Sequence, residues 1–159
     1  MAKKEGVSLS PDFALRLAGD SDRNTRKAIL MLETARVGAG GAAVLTGEGA
    51  TNSLLPDWQV YIQAIGREIL SEQSPSKLLQ VREMLYELLS NCIPADVVLL
   101  MLVKELCRNV DDSVKHETVH WGAEYAHRLC MGSKDIFHLE AFVCKFMSIY
   151  KKWIVSMFG

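Results

Sequence analysis

Residues 74–103 limit the possible folds of this chain more than any other stretch, because they read as two helices joined by a tight corner. Ser74 suits the N-cap position, and Pro75 suits the first helical position, where its missing N–H and fixed φ cost nothing. Apolar residues then recur at steps of three and four, at Leu78, Val81, Leu85 and Leu88, and this stripe is widened by Leu79, Met84 and Leu89. This pattern predicts an amphipathic helix that ends at the corner formed by residues 91–94.

The second helix of this stretch contains the longest uninterrupted apolar run in the chain, residues 97–103. It has no polar side before Lys104 and Glu105, so neighbouring helices must enclose it. The run is far shorter than the ~20 residues that a membrane span needs, and residues 1–5 do not open a signal-peptide pattern. We therefore expect a protein that neither spans a membrane nor is secreted.

Three further helical patterns complete the second half of the chain. One begins at Asp57, another runs over residues 111–131, and the last runs from about residue 134 to beyond residue 152. Gly132 suits a left-handed turn between the last two helices. Since no strand pattern occurs, residues 57–159 are predicted to form an all-α bundle of about five helices.

Two shorter helices are predicted within residues 1–36. The first is opened by Ser10 as N-cap, followed by Pro11, and is closed by Gly19. Asp22 can cap the second helix.

Three basic residues crowd the first turn of the second helix, at Arg23, Arg26 and Lys27. Cations at a helix N-terminus oppose the macrodipole, so this placement needs a reason. One reason is an anion that binds there; the other is that long basic side chains simply cover a neighbouring surface. The residues alone leave both interpretations open.

Residues 37–56 contain five glycines and four alanines and follow neither helical nor strand periodicity. Such a composition is typical of a flexible coil, and a loop of this length is uncommon inside one compact domain. The chain is therefore predicted to consist of a small N-terminal unit (1–36), a flexible linker (37–56) and a helical domain (57–159).

The overall composition excludes several classes of protein. Hydrophobic residues make up 49% of the chain, which is enough for a real core, and the formal net charge of −1 supplies no general attraction to nucleic acid. The four cysteines show no CxxC spacing and lie in apolar helical patterns, at Cys92, Cys107, Cys130 and Cys144. We expect buried, reduced thiols and a reducing intracellular compartment.

The sequence RNTRKAILMLE (residues 23–33), preceded by a short helix that ends in Gly-Asp, resembles the sensor-2 helix of AAA+ clamp-loader subunits. The family pattern is roughly Gly-Asp-x-Arg-Arg-Ala. The chain matches it at Arg26, Lys27 and Ala28, but has Arg23 and Asn24 where the family has the Gly-Asp pair. The resemblance implies that Arg26 senses nucleotide, lying over the γ-phosphate of a nucleotide that a preceding ATPase domain holds.

The second half of the chain resembles the C-terminal collar domain of replication factor C small subunits, most closely the subunit 3 type. Two blocks carry this resemblance, LLQVREMLYELLSNCIP (residues 78–94) and GSKDIFHLEAFVCKFMSIYKK (residues 132–152), with HRL (residues 127–129) between them. The match extends over about two thirds of the chain. It implies a clamp-loader collar-type helical bundle preceded by two helices of an AAA+ lid domain.

The resemblance also implies a function, which is assembly rather than chemistry. In this family a heteropentameric complex of replication factor C subunits loads the sliding clamp, proliferating cell nuclear antigen, onto primer-template DNA during replication and repair in the nucleus. Within the two matching blocks we expect subunit contacts at five positions, Arg82, Tyr86, Phe137, Glu140 and Lys145. The apolar tail of residues 153–159 either adds to such contacts or folds back on its own bundle.

No phosphate loop of the form GxxxxGK[ST] occurs in the chain, and neither does the family's Ser-Arg-Cys motif. We therefore expect no ATPase activity from this chain alone and no cofactor within it, while ATP and Mg²⁺ are implied for the complete complex. The expectation is that the chain begins inside the lid domain of a longer subunit, either as a truncated gene model or as a separate short product.

A competing signal is the HExxH sequence formed by His116, Glu117 and His120, in which two histidines can bind zinc while the glutamate activates water. A catalytic zinc needs a third protein ligand, and Ala123 and Ala126 occupy positions where the longer metzincin pattern requires Gly and His. Glu140 on the next helix remains a possible third ligand. We expect no metal, with a zinc hydrolase as the first alternative and a generic helical adaptor as the second.

Overall fold

The computed structural model describes residues 2–38, 44–45 and 55–158. The chain divides into two compact units, Met1–Asp57 and Trp58–Gly159. Each unit has its own cluster of buried apolar side chains.

The first unit contains two helices and a small parallel strand pair. A 3₁₀ turn at Ala2–Glu5 is followed by β1 (Ser8–Leu9), α1 (Pro11–Asp20), α2 (Thr25–Gly38) and β2 (Val44–Leu45). Ser8 lies opposite Val44 and Leu9 opposite Leu45. This strand pair was not predicted, because two-residue strands are too short to show an alternating pattern.

The predicted linker of residues 37–56 lies mostly outside the described residues. Within it, α2 continues to Gly38 and residues 44–45 pair with β1. The extent of the linker and the domain boundaries drawn from it remain predictions.

The helix caps of the first unit agree with the sequence in one case and differ in the other. Ser10 Oγ accepts a hydrogen bond from the Phe13 backbone N–H at 3.3 Å, as predicted. The second helix is capped by Asn24, whose Oδ1 accepts from the Lys27 N–H at 3.2 Å. Asp22 is not the cap, because it and the next residue adopt left-handed conformations (φ 51° and 62°) that reverse the chain before the helix starts. Helix α1 also extends one residue past Gly19.

The second unit is a bundle of five helices, which confirms the predicted all-α fold. The helices are α3 (Asp57–Ser71), α4 (Pro75–Ser90), α5 (Ala95–Arg108), α6 (Asp112–Met131) and α7 (Asp135–Phe158). Helix α7 packs against α4, α5 and α6, and α6 also packs against α5.

Helix α5 packs in the core of this bundle, as its apolar run predicts, but the run is not fully enclosed, because Leu100 is 54% exposed. Its buried side chains are Ala95, Val98, Leu99, Leu102 and Leu106. Helix α7 covers them with a second buried set, Ile136, Leu139, Phe142, Val143, Phe146 and Met147. Since a buried leucine contributes about 1.5–3 kcal/mol, the contact between these two sets is a major source of the stability of the unit.

The connections between the helices are set by local hydrogen bonds and two special positions. Ser74 Oγ accepts from the Lys77 N–H at 3.2 Å, and Asp111 caps α6 by accepting from the Ser113 N–H. Cys92, at the corner between α4 and α5, is left-handed with φ 60°. Gly132 is not, since it leaves α6 in an extended conformation with φ −87° and ψ 162°. That part of the prediction was wrong.

The four cysteines are less buried than predicted. Cys92, Cys130 and Cys144 are exposed, and Cys107 is half-buried. Their apolar neighbourhoods were misleading, because Cys130 and Cys144 lie on the outer faces of α6 and α7 and Cys92 lies in the corner between α4 and α5. Burial raises the pKa of the Cys107 thiol, an effect that the nearby Lys115 ammonium only partly opposes.

No helix in the described part of the chain is both long enough and apolar enough to cross a membrane.

Gly122 allows α6 to approach α5 closely, since a Cβ atom at this position would lie 2.8 Å from Cγ2 of Val103. We expect Gly122→Ala to destabilise the bundle by about 1–3 kcal/mol through overpacking. This loss should outweigh the roughly 1 kcal/mol by which alanine favours a helix over glycine. Thermal unfolding followed by circular dichroism measures the difference.

The double variant Gly122→Ala/Val103→Ala is the matched control, because it removes the methyl groups that the new Cβ would meet. It should recover part of the lost stability. A single variant as stable as the unsubstituted chain would show that the two helices can separate without cost.

The thiol of Cys107 should react more slowly with iodoacetamide than the other three thiols at pH 7.5, because its pKa is raised and its access is restricted. The difference in reaction rate should narrow as the pH rises above the ordinary pKa of a thiol, because the thiolate fraction of Cys107 then grows. Mass spectrometry of the modified peptides over time gives the four rates. Equal rates at all four cysteines would contradict the burial seen here.

Candidate functional site

Four of the five predicted contact residues lie on one surface formed by α4 and α7, which we call the α4–α7 surface. Arg82 on α4 and Glu140 on α7 form an ion pair, with Nη1 and Oε1 3.5 Å apart. The Arg82 guanidinium lies 5.7 Å from the centre of the Tyr86 ring, one turn further along α4. Phe137 lies one turn before Glu140 on α7.

Large apolar groups are exposed on this surface. The exposed fraction is 46% for Tyr86 and 52% for Phe137, and it reaches 58% for Leu79, one turn before Arg82. Leu79 was assigned by its spacing to the buried stripe of its helix, and the structure places it outside. Exposed aromatic and aliphatic side chains grouped around a paired arginine are typical of an interaction surface.

Contacts with Tyr86 and Glu140 fix the position of the Arg82 side chain but add little to the stability of the bundle. Contact with Tyr86 and, to a smaller extent, attraction to Glu140 raise the pKa of Arg82 above its already high ordinary value. The guanidinium therefore carries its charge at every physiological pH. The pair is partly buried, and its separation of 3.5 Å is longer than that of a strong charge-assisted hydrogen bond, so it positions the surface more than it stabilises the bundle.

Lys145 does not belong to this surface. Its Nζ lies 4.0 Å from the centre of the Trp121 ring on α6. Five residues separate it from Glu140, which corresponds to a rotation of about 140° around the helix. Sequence position alone grouped Lys145 with the other four residues, and the helix geometry separates them.

Arg26, the predicted nucleotide-sensing residue, lies in the first unit on the first turn of α2, where its side chain is exposed. Within the described residues its guanidinium forms no hydrogen bond or ion pair. The neighbouring Lys27 differs, because its Nζ donates to the backbone carbonyl of Asp20 at 2.8 Å. Of these two cations on the same turn, only Lys27 is used locally, and Arg26 is available for an anion.

The HExxH residues are not arranged as a metal site. His116 Nδ1 lies 2.9 Å from the backbone carbonyl oxygen of Asp112, and the His120 ring makes an edge contact with Trp121. Glu140, the possible third ligand, is paired with Arg82. Over the part of the chain that the structure describes, no three His, Cys, Asp or Glu side chains lie close enough to hold one metal ion.

A polar connection between α3 and α4 was not anticipated from the sequence. The Tyr61 hydroxyl donates a hydrogen bond to Glu87 Oε2, and this bond, more than burial, raises the pKa of Tyr61 to about 12. Lys77 and Glu68 form an ion pair between the same two helices. No motif marks such pairs, since their partners lie on different helices and meet only after folding.

Two family models match the chain. The model described as the replication factor C subunit 3 C-terminal domain matches residues 58–154, which is most of the helical bundle. The model described as an RCF1/5-like AAA+ ATPase lid domain matches residues 1–37.

Curated relatives match along almost the whole chain. Replication factor C subunit 3 of Arabidopsis thaliana is 48% identical over 159 residues, covering 100% of this chain and 44% of that protein. Replication factor C subunit 5 of Oryza sativa is 47% identical, with the same shares covered. Replication factor C subunit 3 of Homo sapiens is 45% identical over 154 residues, covering 97% of this chain and 42% of that protein.

The chain thus spans less than half the length of these relatives. The lid match (residues 1–37) precedes the C-terminal-domain match (residues 58–154) along the chain. The C-terminal-domain match alone extends over more than half of the chain. The chain belongs to the replication factor C family, and it comprises the lid and C-terminal domains of a subunit of the type named subunit 3 or subunit 5.

Proposed function

We propose that this chain serves as an assembly element of a DNA clamp loader. In this proposal the five-helix bundle joins other replication factor C subunits side by side in a heteropentameric ring. The ring loads proliferating cell nuclear antigen onto primer-template DNA in the nucleus, during replication and repair. The bundle contributes protein contacts and no chemistry, and ATP and Mg²⁺ are bound by ATPase domains of the complex.

The α4–α7 surface is the observation that carries this proposal. It lies within the region that matches the C-terminal domain of replication factor C subunit 3. Tyr86 and Phe137 present exposed rings there, and the Arg82–Glu140 pair fixes the polar groups between them. Aromatic residues and arginine contribute most of the binding energy in many protein interfaces, so this surface is suited to a neighbouring subunit.

Lys145 stays a candidate contact residue in this proposal. Because it lies off the α4–α7 surface, it would contact another subunit, or another part of the same subunit, than Arg82 and Tyr86 do. Its ammonium group is held over the Trp121 ring on the α6–α7 side of the bundle. A ring can close only if each inner subunit uses two different surfaces, and residues on two sides of α7 meet that requirement.

In the first unit, we propose that Arg26 contacts a nucleotide phosphate held by an ATPase domain of the same subunit. The support is its exposure on the first turn of α2, next to the positive end of the helix. A cation placed there raises the energy of the isolated helix, and an incoming phosphate would offset that cost.

Of the two alternatives, the zinc hydrolase gains no support, since Glu140 is engaged with Arg82 and no third ligand faces the two histidines among the described residues. The generic helical adaptor differs from the proposal in its partners. Co-purification of replication factor C subunits with the tagged chain distinguishes the two.

Phe137→Ala and Tyr86→Ala should each weaken co-assembly with the other replication factor C subunits about tenfold or more, because each removes an exposed ring of the α4–α7 surface. The measurement is the fraction of the chain in the assembled complex at limiting subunit concentration. Thermal unfolding of the variants should stay close to that of the unsubstituted chain, since exposed positions rarely change stability by more than about 0.5 kcal/mol.

Val119→Ala is the matched control, because Val119 is 54% exposed but lies on α6, on another side of the bundle. It should leave assembly unchanged. Equal losses for Val119 and the two aromatic residues would show that assembly does not depend on the α4–α7 surface.

Arg26→Ala, in a subunit that also carries the ATPase domain, should slow nucleotide-dependent clamp loading about 10- to 100-fold. This range corresponds to a charge-assisted contact of ~1.5–3 kcal/mol to phosphate. Unfolding of the lid unit should hardly change, since Arg26 is exposed and has no partner within the described residues. Clamp-loading kinetics measured beside Arg23→Ala checks the assignment, and an unchanged rate for Arg26→Ala or a large loss of stability would rule it out.

A further inference from the structure

The C-terminal half of α7 is basic and lacks acidic residues. Residues 141–159 include lysines at 145, 151 and 152 but no aspartate or glutamate. Lys145 is used within the bundle, over the Trp121 ring. Lys151 and Lys152 are exposed, and within the described residues neither forms an ion pair.

These two lysines are not explained by the helix dipole. Cations stabilise a helix when they lie in its last turn, and the last turn of α7 contains no basic residue. Lys151 and Lys152 lie more than a turn before the end of the helix at Phe158. Their positive charge is therefore available to something outside the chain.

The apolar surface of α7 also continues past the region that the bundle covers. Phe146, Tyr150 and Trp153 follow each other along the inward side, with ring centres 5.8 Å apart in both stacked pairs. Met157 is the next position in this stripe, four residues further on, but it is 63% exposed. The bundle thus ends before the helix does.

On the outer side, the same turns form an open patch made by one face of α7 alone. It consists of Ser148, Lys151, Lys152, Val155 and Ser156. Val155 is 60% exposed. The patch cannot enclose a small molecule, but its mixture of ammonium and aliphatic groups suits side chains from an approaching protein segment.

We propose that these last turns of α7, which we call the basic end of α7, dock an acidic amphipathic segment of a partner protein. Carboxylates of the segment pair with Lys151 and Lys152, and its apolar side chains cover Val155. Such a segment supplies carboxylates for the two lysines and also removes the exposed aliphatic surface of Val155 from water.

A nucleic acid would pair with the two lysines but would not cover the exposed aliphatic surface. Phosphates can pair with lysines, but Val155 offers them nothing, and the rings that could stack on bases, Tyr150 and Trp153, already stack on each other. The basic end of α7 is also separate from the α4–α7 surface, because Lys151 lies eleven residues beyond Glu140, roughly 16 Å along the helix. The basic end of α7 is therefore a second interaction surface, and the inference does not depend on the assembly role proposed for the α4–α7 surface.

The test uses the full chain and a synthetic, fluorescein-labelled helical peptide with leucines on one face and glutamates beside them. A peptide of the same composition in scrambled order is the probe control. Fluorescence anisotropy should show binding of the amphipathic peptide and at least tenfold weaker binding of the scrambled one. Raising the salt from about 0.15 to 1 M should weaken binding, because the Debye length falls from ~8 to ~3 Å.

Three variants locate the site. Lys151→Glu/Lys152→Glu should reduce the peptide affinity at least tenfold, and Val155→Ser should reduce it about threefold or more. Arg67→Glu is the matched control, since Arg67 is an exposed cation on α3, and it should leave the affinity unchanged. Circular dichroism of each variant confirms that the bundle is intact.

The proposal is overturned if the double lysine variant binds the peptide as well as the unsubstituted chain, or if the scrambled peptide binds equally well. It is also overturned if a single-stranded oligonucleotide or anionic lipid vesicles bind at the basic end of α7 while the peptide does not. Co-assembly with replication factor C subunits is measured separately with the α4–α7 variants, so failure of one proposal leaves the other standing.

Discussion

The second unit depends on the enclosure of α5 by its neighbours. Leu102 and Leu106 of this helix are completely buried, and α7 contributes a matching set of buried side chains that includes Leu139 and Phe146. An apolar helix of this kind must bury most of its surface, and Leu100 is the one large apolar side chain of the run 97–103 that stays exposed, at 54%. The other helices are arranged around it, and α6 comes close enough that only glycine is accommodated at position 122.

This arrangement decides which residues are left for function. Because α4 and α7 each direct one face to the core, their outer faces are brought side by side, and Arg82 meets Glu140 although 58 residues separate them in the chain. The pair contributes little to stability. Its value is geometric, since it holds polar groups in register between the exposed rings of Tyr86 and Phe137.

The length of α7 has a different consequence. At 1.5 Å per residue, its 24 residues extend about 36 Å, and its last buried residue is Met147. Beyond that point Tyr150 and Trp153 still pack against the core as partly buried side chains, whereas Val155, Met157 and the two lysines are exposed. An interaction surface is the simplest account of apolar and basic groups that a bundle carries but does not cover.

Local sequence signals determined the helices of the bundle and several of their ends. Ser74 with Pro75, Ser10 with Pro11, and Asp111 each begin a helix as predicted, because an N-cap depends on side chains within three residues. The burial of most of α5 was also readable, since its apolar run has no polar face, whereas the exposure of Leu100 was not. The conflict with the helix dipole drew attention to Arg23, Arg26 and Lys27 together, and the resemblance to the clamp-loader sensor-2 helix singled out Arg26 among them.

Only the tertiary structure decided what depends on contacts between distant residues. Asn24 replaced Asp22 as a cap because the chain turns through left-handed conformations first, and Gly132 stayed extended where a Cβ would meet His138. Leu79 and the thiols of Cys130 and Cys144 were predicted to be buried and are exposed, because periodicity shows that a helix has two faces but not which residues at their border are covered. The pairing of Tyr61 with Glu87, of Arg82 with Glu140 and of β1 with β2 could not be read from the sequence either, since each joins segments that only the packed fold brings together.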